Sequence, residues 1–284
     1  TVGSPTEGRS ARSASPAAGN GISKVLTIVE ENHSLAQMRS GMPHLYRLAQ
    51  RYGYATHYQA LSHPSLPNYL AIAGGSTFGV SDDAAPASHP LHGTSVFGQA
   101  LATGQSARLY AESMPAPCST SSHAPYAVKH APWAYFLDER AACTAGMVPA
   151  GTPTAGPLAA DIATGRLPTV GMLIPSLDND AHDGSLARAD TWLRHWLDLL
   201  LAGPDFASGA LAIVVTADED DRSAGNTVLT VVLAQGIRDT VVTRPLSHYS
   251  LTRFYDDVIG AAPLREAARA TSLGAAFSLH PARH

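Results

Sequence analysis

The sequence predicts an α/β protein, a mostly parallel sheet sandwiched by helices, and three observations predict it. Four runs are continuously apolar instead of alternating: KVLTIVE (24–30), TVGMLIP (169–175), LAIVVTAD (211–218) and TVLTVVLA (227–234). Such runs mark strands covered on both faces. Helical patterns lie around and between them, in PHLYRLAQRYG (43–53), LARADTWLRHWLDLLLAG (186–203) and LTRFYDDVIG (251–260). Strands alternating with helices build parallel sheets with helices on both sides. Finally, 284 residues at 45% hydrophobic content are enough to bury a large core, on the order of three quarters of the unfolded surface.

The remaining segments follow in chain order. Residues 1–22 are Ser, Ala, Gly and Pro with hardly a large apolar side chain, which reads as a flexible tail. A chain that opens on Thr instead of Met reads as a mature or trimmed form, and such a tail often follows an export signal. Residues 23–284 then form a single domain. After the first strand and the 43–53 helix comes LPNYLAIA (66–73), a short apolar helix that Gly74 and Gly75 would end. Residues 76–168 are rich in Gly, Pro, Ser and His with little periodicity. They read as a loop-rich insertion or lid at the sheet edge, with ARLYAES (107–113) a weaker fifth strand. The two cysteines, Cys118 and Cys143, both lie in it. An isolated pair in an irregular region predicts a disulfide, and with it a secreted or extracytoplasmic location.

Charge excludes some functions. The net charge is −4, with no basic run and no basic helix face, so nothing marks a nucleic-acid partner. No apolar run reaches the ~18 to 20 residues of a membrane helix. G-x-S-x-G, the P-loop and G-x-G-x-x-G are all absent, which argues against a serine esterase of the nucleophile-elbow type and against nucleotide-binding enzymes.

In open α/β sheets ligands bind beyond the C-terminal ends of the strands. There the sequence places EENHS (30–34), SLDNDAHDGS (176–185) and ADEDD (217–221). Carboxylates converging at one pole repel one another and raise each other's pKa. A divalent cation removes that conflict, and oxygen donors suit Ca²⁺, Mg²⁺, Mn²⁺ or Zn²⁺. Ser65 falls at the expected N-cap of the 66–73 helix, with Pro67 in the first turn. Ser65 either only caps that helix, or stands where free N–H groups receive a phosphate and attacks phosphorus beside a metal.

These segments together resemble a known family. IVEENHS, HPSLPNYLAIAGG, ESMPAPC, YAVKHAPWAYF, DNDAHDGS, TADEDD and SHYSLTRFYDDVIG are similar, in that order, to the phosphoesterase family of bacterial phospholipases C and acid phosphatases, within the alkaline phosphatase superfamily. The resemblance covers residues 24–262. It implies a metal-dependent hydrolase of phosphate esters with a covalent phospho-enzyme. Carried over position by position, Ser65 would be the nucleophile and a metal ligand, with Glu31, Asn32, Asp218 and Glu219 completing the metal set. Asn68 would hydrogen-bond a phosphate oxygen. His182 with Asp180, and His248, would bind phosphate, serve a second metal or protonate the leaving group. His130 would be a pocket histidine over the phosphate. Leu35 departs from the family's usual Phe, and Asp178 with His182 forms the D-x-x-x-H spacing of two-metal members. Asp218-Glu219 stands where such members have Asp-His, which favours one essential ion, a second being open to Asp178, His182 and His248.

The reading therefore expects an acid phosphatase-like phosphomonoesterase acting on a phosphorylated small molecule or phospholipid head group. A phosphodiesterase of the phospholipase C type is the alternative, and a non-catalytic metal-binding domain a more distant one. His63 is expected to pack its loop, Glu30 to point away from the site, Asp220 and Asp221 to be solvated or structural, and Trp192 and Trp196 to fill the core. Asp190 is open between a surface charge and a group behind the site.

Overall fold

The computed structural model describes residues 21–283. The expected tail lies, up to residue 20, outside the described residues; Ile22, assigned to it from sequence, is buried and its N–H donates to the His280 carbonyl at 2.8 Å.

Among the described residues ten strands form: β1 Lys24–Glu30, β2 Gly53–Ala55, β3 Tyr58–Gln59, β4 Ala107–Ala111, β5 Met147–Pro149, β6 Val170–Ile174, β7 Leu211–Ala217, β8 Thr230–Leu233, β9 Thr240–Val242 and β10 Leu246–Ser247. Eight make one sheet in the order β5-β4-β6-β1-β7-β8-β2-β9, while β3 and β10 pair separately. Within the large sheet β8 runs antiparallel to both its neighbours, and the other pairs among the described residues are parallel. The continuously apolar runs are the innermost strands. In β6 and β7 every residue is buried, and in β1 all but Lys24, as two covered faces require.

The stretch 76–168 is more than an insertion over the edge. It supplies β4, which pairs with β6, and β5, which pairs with β4, so it builds one side of the sheet itself. At three residues β5 is too short for its pattern to stand out. The disulfide Cys118–Cys143 joins the segment after β4 to the helix Arg140–Gly146.

Two helices position the site. Ser65–Gly74 is buried along its whole length and ends at Gly75, φ 68°, in the left-handed region where glycine is favoured. The helix His248–Ile259 clamps it to the sheet. Thr252 Oγ1 donates to the Ala71 carbonyl at 2.7 Å, and the Tyr255 hydroxyl reaches Thr27 Oγ1 at 2.6 Å and the Gly171 carbonyl at 2.7 Å. Among the described residues no helix is long and apolar enough to cross a membrane.

The cross-link spans a sequence separation of 25, and chain entropy puts its contribution at roughly 3 kcal/mol. Replacing both cysteines by Ser should lower the melting temperature by several degrees in calorimetry; an unchanged melting temperature would show that the bridge does not stabilise the fold.

Candidate active site

Backbone pairing gathers the acidic residues. The register that opposes Glu30 to Ala217 leaves Glu31 and Asp218 side by side at the ends of β1 and β7. The Asp218 N–H donates to the Glu30 carbonyl at 2.9 Å, and the Glu31 N–H to the Asp180 carbonyl at 2.8 Å. Glu31, Asp180 and Asp218 are all fully buried. Asn32 then turns the chain sharply with φ 56°, a left-handed conformation that Asn tolerates better than most residues. Its N–H donates to Asp218 Oδ1 at 3.3 Å.

Ser65 is the first residue of its helix and not its cap. Pro64 takes the N-cap position, and no side chain caps the end. The expected capping role is thus corrected, because a backbone that turns at Pro64 leaves the Ser65 hydroxyl unspent. Ser65 Oγ donates to Glu31 Oε2 at 3.3 Å and accepts from Lys129 Nζ at 3.4 Å. Nor does this helix end offer an open cradle. The Leu66 N–H is taken by Asp83 Oδ1 at 2.9 Å, and Pro67 has none to give.

Burial and mutual repulsion separate the acids. Burial, then Glu31 and Glu219, push Asp218 well above the carboxylate range. Burial, Glu31 and Asp83 push Glu219 up to about 8. Burial also works against a charged Glu31, but the His130 charge, with hydrogen bonds to His130 and Asp218, outweighs it and brings Glu31 down to about 2. Asp218 Oδ2 is buried with no hydrogen-bond partner. A partnerless carboxylate oxygen beside a second carboxylate and the Ser65 hydroxyl is a donor set suited to a hard divalent cation. Among the described residues no three His, Cys, Asp or Glu side chains meet as a ligand cluster, so Ser65 and Asn32 would have to complete the set.

Several sequence-predicted residues sit at the site in other roles than expected. His130 does not overhang a phosphate pocket: it is 1% exposed, with Nε2 2.6 Å from Glu31 Oε1 and Nδ1 3.4 Å from Asp180 Oδ2. Burial disfavours its charge, yet Glu31 and Asp180 outweigh burial and push it up to about 9. Its ring stacks on Tyr69, centroids 4.9 Å apart. Asn68 is engaged by its own loop. Its Oδ1 accepts the Leu61 and Ser62 N–H groups at 2.9 and 3.2 Å, and its Nδ2 donates to the Ser62 carbonyl at 2.8 Å, fastening the loop that leads to Ser65.

His248 is likewise spent within the protein. Nε2 donates to the Asp218 carbonyl at 2.6 Å and Nδ1 accepts the Tyr58 hydroxyl at 3.0 Å, while burial lowers its pKa to about 4 and keeps it neutral. No nitrogen remains for phosphate or a second metal. Asp180 faces inward too, accepting the His182 N–H at 2.7 Å. Asp178 turns to Arg188, 3.6 Å away and half-exposed, so Asp178, His182 and His248 do not assemble a second ion site. His182 is partly exposed, its ring 6.3 Å from that of His130 and its Nδ1 2.6 Å from Asp183.

The remaining expectations divide. His63 does more than pack its loop: its two nitrogens lie 3.1 Å from Glu219 and 3.2 Å from Asp220. Asp220 is structural, accepting the N–H groups of Arg222, Ala224 and Asn226. Asp190 is no surface charge; it receives the N–H groups of His44 and Leu45, both at 2.9 Å. Glu30 is buried with neither oxygen hydrogen-bonded, and burial pushes it well up. Sequence reasoning missed Lys129, Asp83 and Tyr69, whose hydroxyl donates to Glu31 Oε1 at 3.2 Å. Lys129 and Tyr69 stand inside VKHAP and LPNYLA, beside residues that drew notice first.

The family model described as the phosphoesterase family matches residues 30–260. The chain belongs to the phosphoesterase family. It is thus a hydrolase of phosphate esters, and the homologues bear this out. It is 33% identical over 242 residues to a phosphatidylinositol-3-phosphatase of Mycobacterium tuberculosis, covering 83% of this chain and 76% of that protein. It is 29% identical to an acid phosphatase of Aspergillus fumigatus, over 65% of this chain and 42% of that one. A phosphate-repressible acid phosphatase of Penicillium chrysogenum is 27% identical over 73% of this chain and 52% of its own length. The chain thus spans about half the length of these fungal relatives. Among solved structures, an alkaline phosphatase superfamily protein of Vibrio parahaemolyticus superposes with TM-score 0.60 at 13% identity, over 88% of this chain and 71% of that one. At that identity the likeness shows the fold alone.

The His130 shift carries a pH consequence. Its folded pKa of about 9 exceeds the ordinary 6.5, so between these values the folded state binds more protons and stability falls as pH rises. In chelator-treated protein, denaturant midpoints should decline from pH 6.5 through pH 9, the raised Glu219 adding to the fall up to about pH 8. His130→Gln should flatten that decline, and an equally steep decline in the variant would remove His130 as its source.

Proposed function

We propose that this phosphoesterase is a phosphomonoesterase that works through a covalent phosphoserine at Ser65. The observation that carries the reading is the Ser65 hydroxyl, unspent in capping, at the start of a buried helix between Glu31 and Lys129. Ser65 Oγ forms the bond to phosphorus as the ester P–O bond opposite it breaks. Its proton leaves toward Glu31 Oε2, the acceptor it already faces. His182, which is partly exposed, protonates the departing oxygen. Water then cleaves the phosphoserine, releasing inorganic phosphate and restoring the hydroxyl.

Glu31 and Asp218, with Ser65 and Asn32, would hold one divalent cation, which when bound supplies positive charge for the Ser65 oxygen and the phosphoryl group; Glu219 stands beside them, engaged by His63 and Asn68. His130 and Tyr69 orient Glu31, and Asn68 and His63 hold the Ser65 loop against Glu219. The relatives named as phosphatases support a monoester substrate, and the phosphoinositide phosphatase among them supports a phosphorylated head group or similar small molecule. The disulfide supports an exported protein.

Ser65→Ala should lower kcat on p-nitrophenyl phosphate by roughly a thousandfold or more, with a much smaller change in KM, because the nucleophile acts in the chemical step. Ser34 is the control. It caps the helix Leu35–Gly41, so Ser34→Ala should cost about 1 kcal/mol of stability and leave kcat near normal. Bis-p-nitrophenyl phosphate in parallel should turn over more slowly than the monoester, and chelator should suppress both. Near-normal kcat in Ser65→Ala would remove the phosphoserine; faster turnover of the diester would remove the monoesterase.

A further inference from the structure

Ser65 has two hydrogen-bond neighbours, and the proposal above uses one of them. The other is the Lys129 ammonium, 3.4 Å from Ser65 Oγ and 3.0 Å from Asp83 Oδ2. Asp83 is bifunctional. Its Oδ2 holds Lys129 while its Oδ1 accepts the Leu66 N–H at 2.9 Å, so one carboxylate fixes the lysine relative to the helix that starts at Ser65. The backbone of Lys129 is fixed as well. It lies on the one-turn helix Val128–His130, where Val128 and His130 are both buried and His130 is locked against Glu31, Asp180 and Tyr69.

A phosphoryl group on Ser65 needs donors for its outer oxygens. The helix end supplies few, with the Leu66 N–H already taken and Pro67 without one. Among the described residues Lys129 is the cationic side chain joined to the Ser65 hydroxyl by a hydrogen bond. A salt bridge with Asp83 alone would not need to reach that hydroxyl.

We propose that Lys129 is a catalytic residue whose ammonium binds the outer oxygens of the phosphoryl group passing to and from Ser65, with Asp83 the positioning residue that aims it. This rests on the reading of Ser65 as nucleophile. Lys129 transfers no proton; it stabilises charge that grows on the phosphoryl oxygens as the P–O bonds form and break. In the resting site Asp83 and Ser65 occupy its donors, and the substrate's oxygens take the place of the Ser65 contact once Oγ is bonded to phosphorus.

The test compares Lys129→Ala, Lys129→Met, Asp83→Asn and Ser65→Ala at one fixed metal concentration on p-nitrophenyl phosphate, with melting temperatures measured alongside. Lys129→Ala should lose about a hundredfold to a thousandfold in kcat and keep its melting temperature. Ethylammonium should restore activity to it saturably, while Ser65→Ala should show no rescue. Lys129→Met retains the apolar stem and serves if the Ala variant does not fold; it should be as slow and unrescued. Asp83→Asn keeps an acceptor for Leu66 but loses its charge, and should lose about tenfold in kcat with its melting temperature held. Lys129→Ala and Lys129→Met within threefold of the parent, beside an inactive Ser65→Ala, would overturn the lysine's role and leave the nucleophile standing. A Lys129→Ala loss without amine rescue would also overturn it. An active Ser65→Ala would overturn both.

Discussion

The alignment of β1 with β7 is the constraint on which the rest depends. Seven consecutive pairs, from Lys24 opposite Leu211 to Glu30 opposite Ala217, leave no freedom in where Glu31 and Asp218 emerge. A slip of one residue would send one carboxylate to the other face of the sheet. The apolar strands therefore stabilise an arrangement that its own side chains oppose, two acids brought together out of water. The electrostatic cost is visible in the raised Asp218, while His130 offsets it at Glu31, and such an opposed pair marks a working site.

Around that pair the structure separates holding from reacting. His248 reads the Asp218 carbonyl, Asn68 ties the loop before Ser65, and His130 props Glu31 against Asp180. In each, the ring nitrogens or the amide face other groups of the protein. What faces the Ser65 hydroxyl is short: Glu31 Oε2 and the Lys129 ammonium, with Asp218 Oδ2 close by and reached by no donor.

The sheet was legible because its inner strands are buried on both faces and so carry unbroken apolar runs, and the ligand-binding pole followed from strand direction alone. The edge was legible only in part: ARLYAES (107–113) holds β4, whereas β5, three residues long, leaves no pattern. At the site, the residues that converge were legible as types in motifs, whereas their roles were not. A histidine in sequence does not show whether its nitrogens face outward, and His130 and His248 both face in. Ser65 at N1 instead of the cap is a shift of one residue that only the backbone turn at Pro64 decides. Lys129 escaped because a single lysine in a loop has no pattern; its meaning comes from Asp83, 46 residues away.

The disulfide has a bearing beyond stability. Residues 119–142 form a closed ring once Cys118 and Cys143 are joined, and Lys129 and His130 both fall inside it. The segment is stitched to the sheet through β4 before the ring and β5 after it. Thiol chemistry and cation placement are thereby one matter: a chain folded with its sulfurs apart carries its two site cations on a longer, looser tether, and closing the ring delivers them to a pole that the strands had already made acidic.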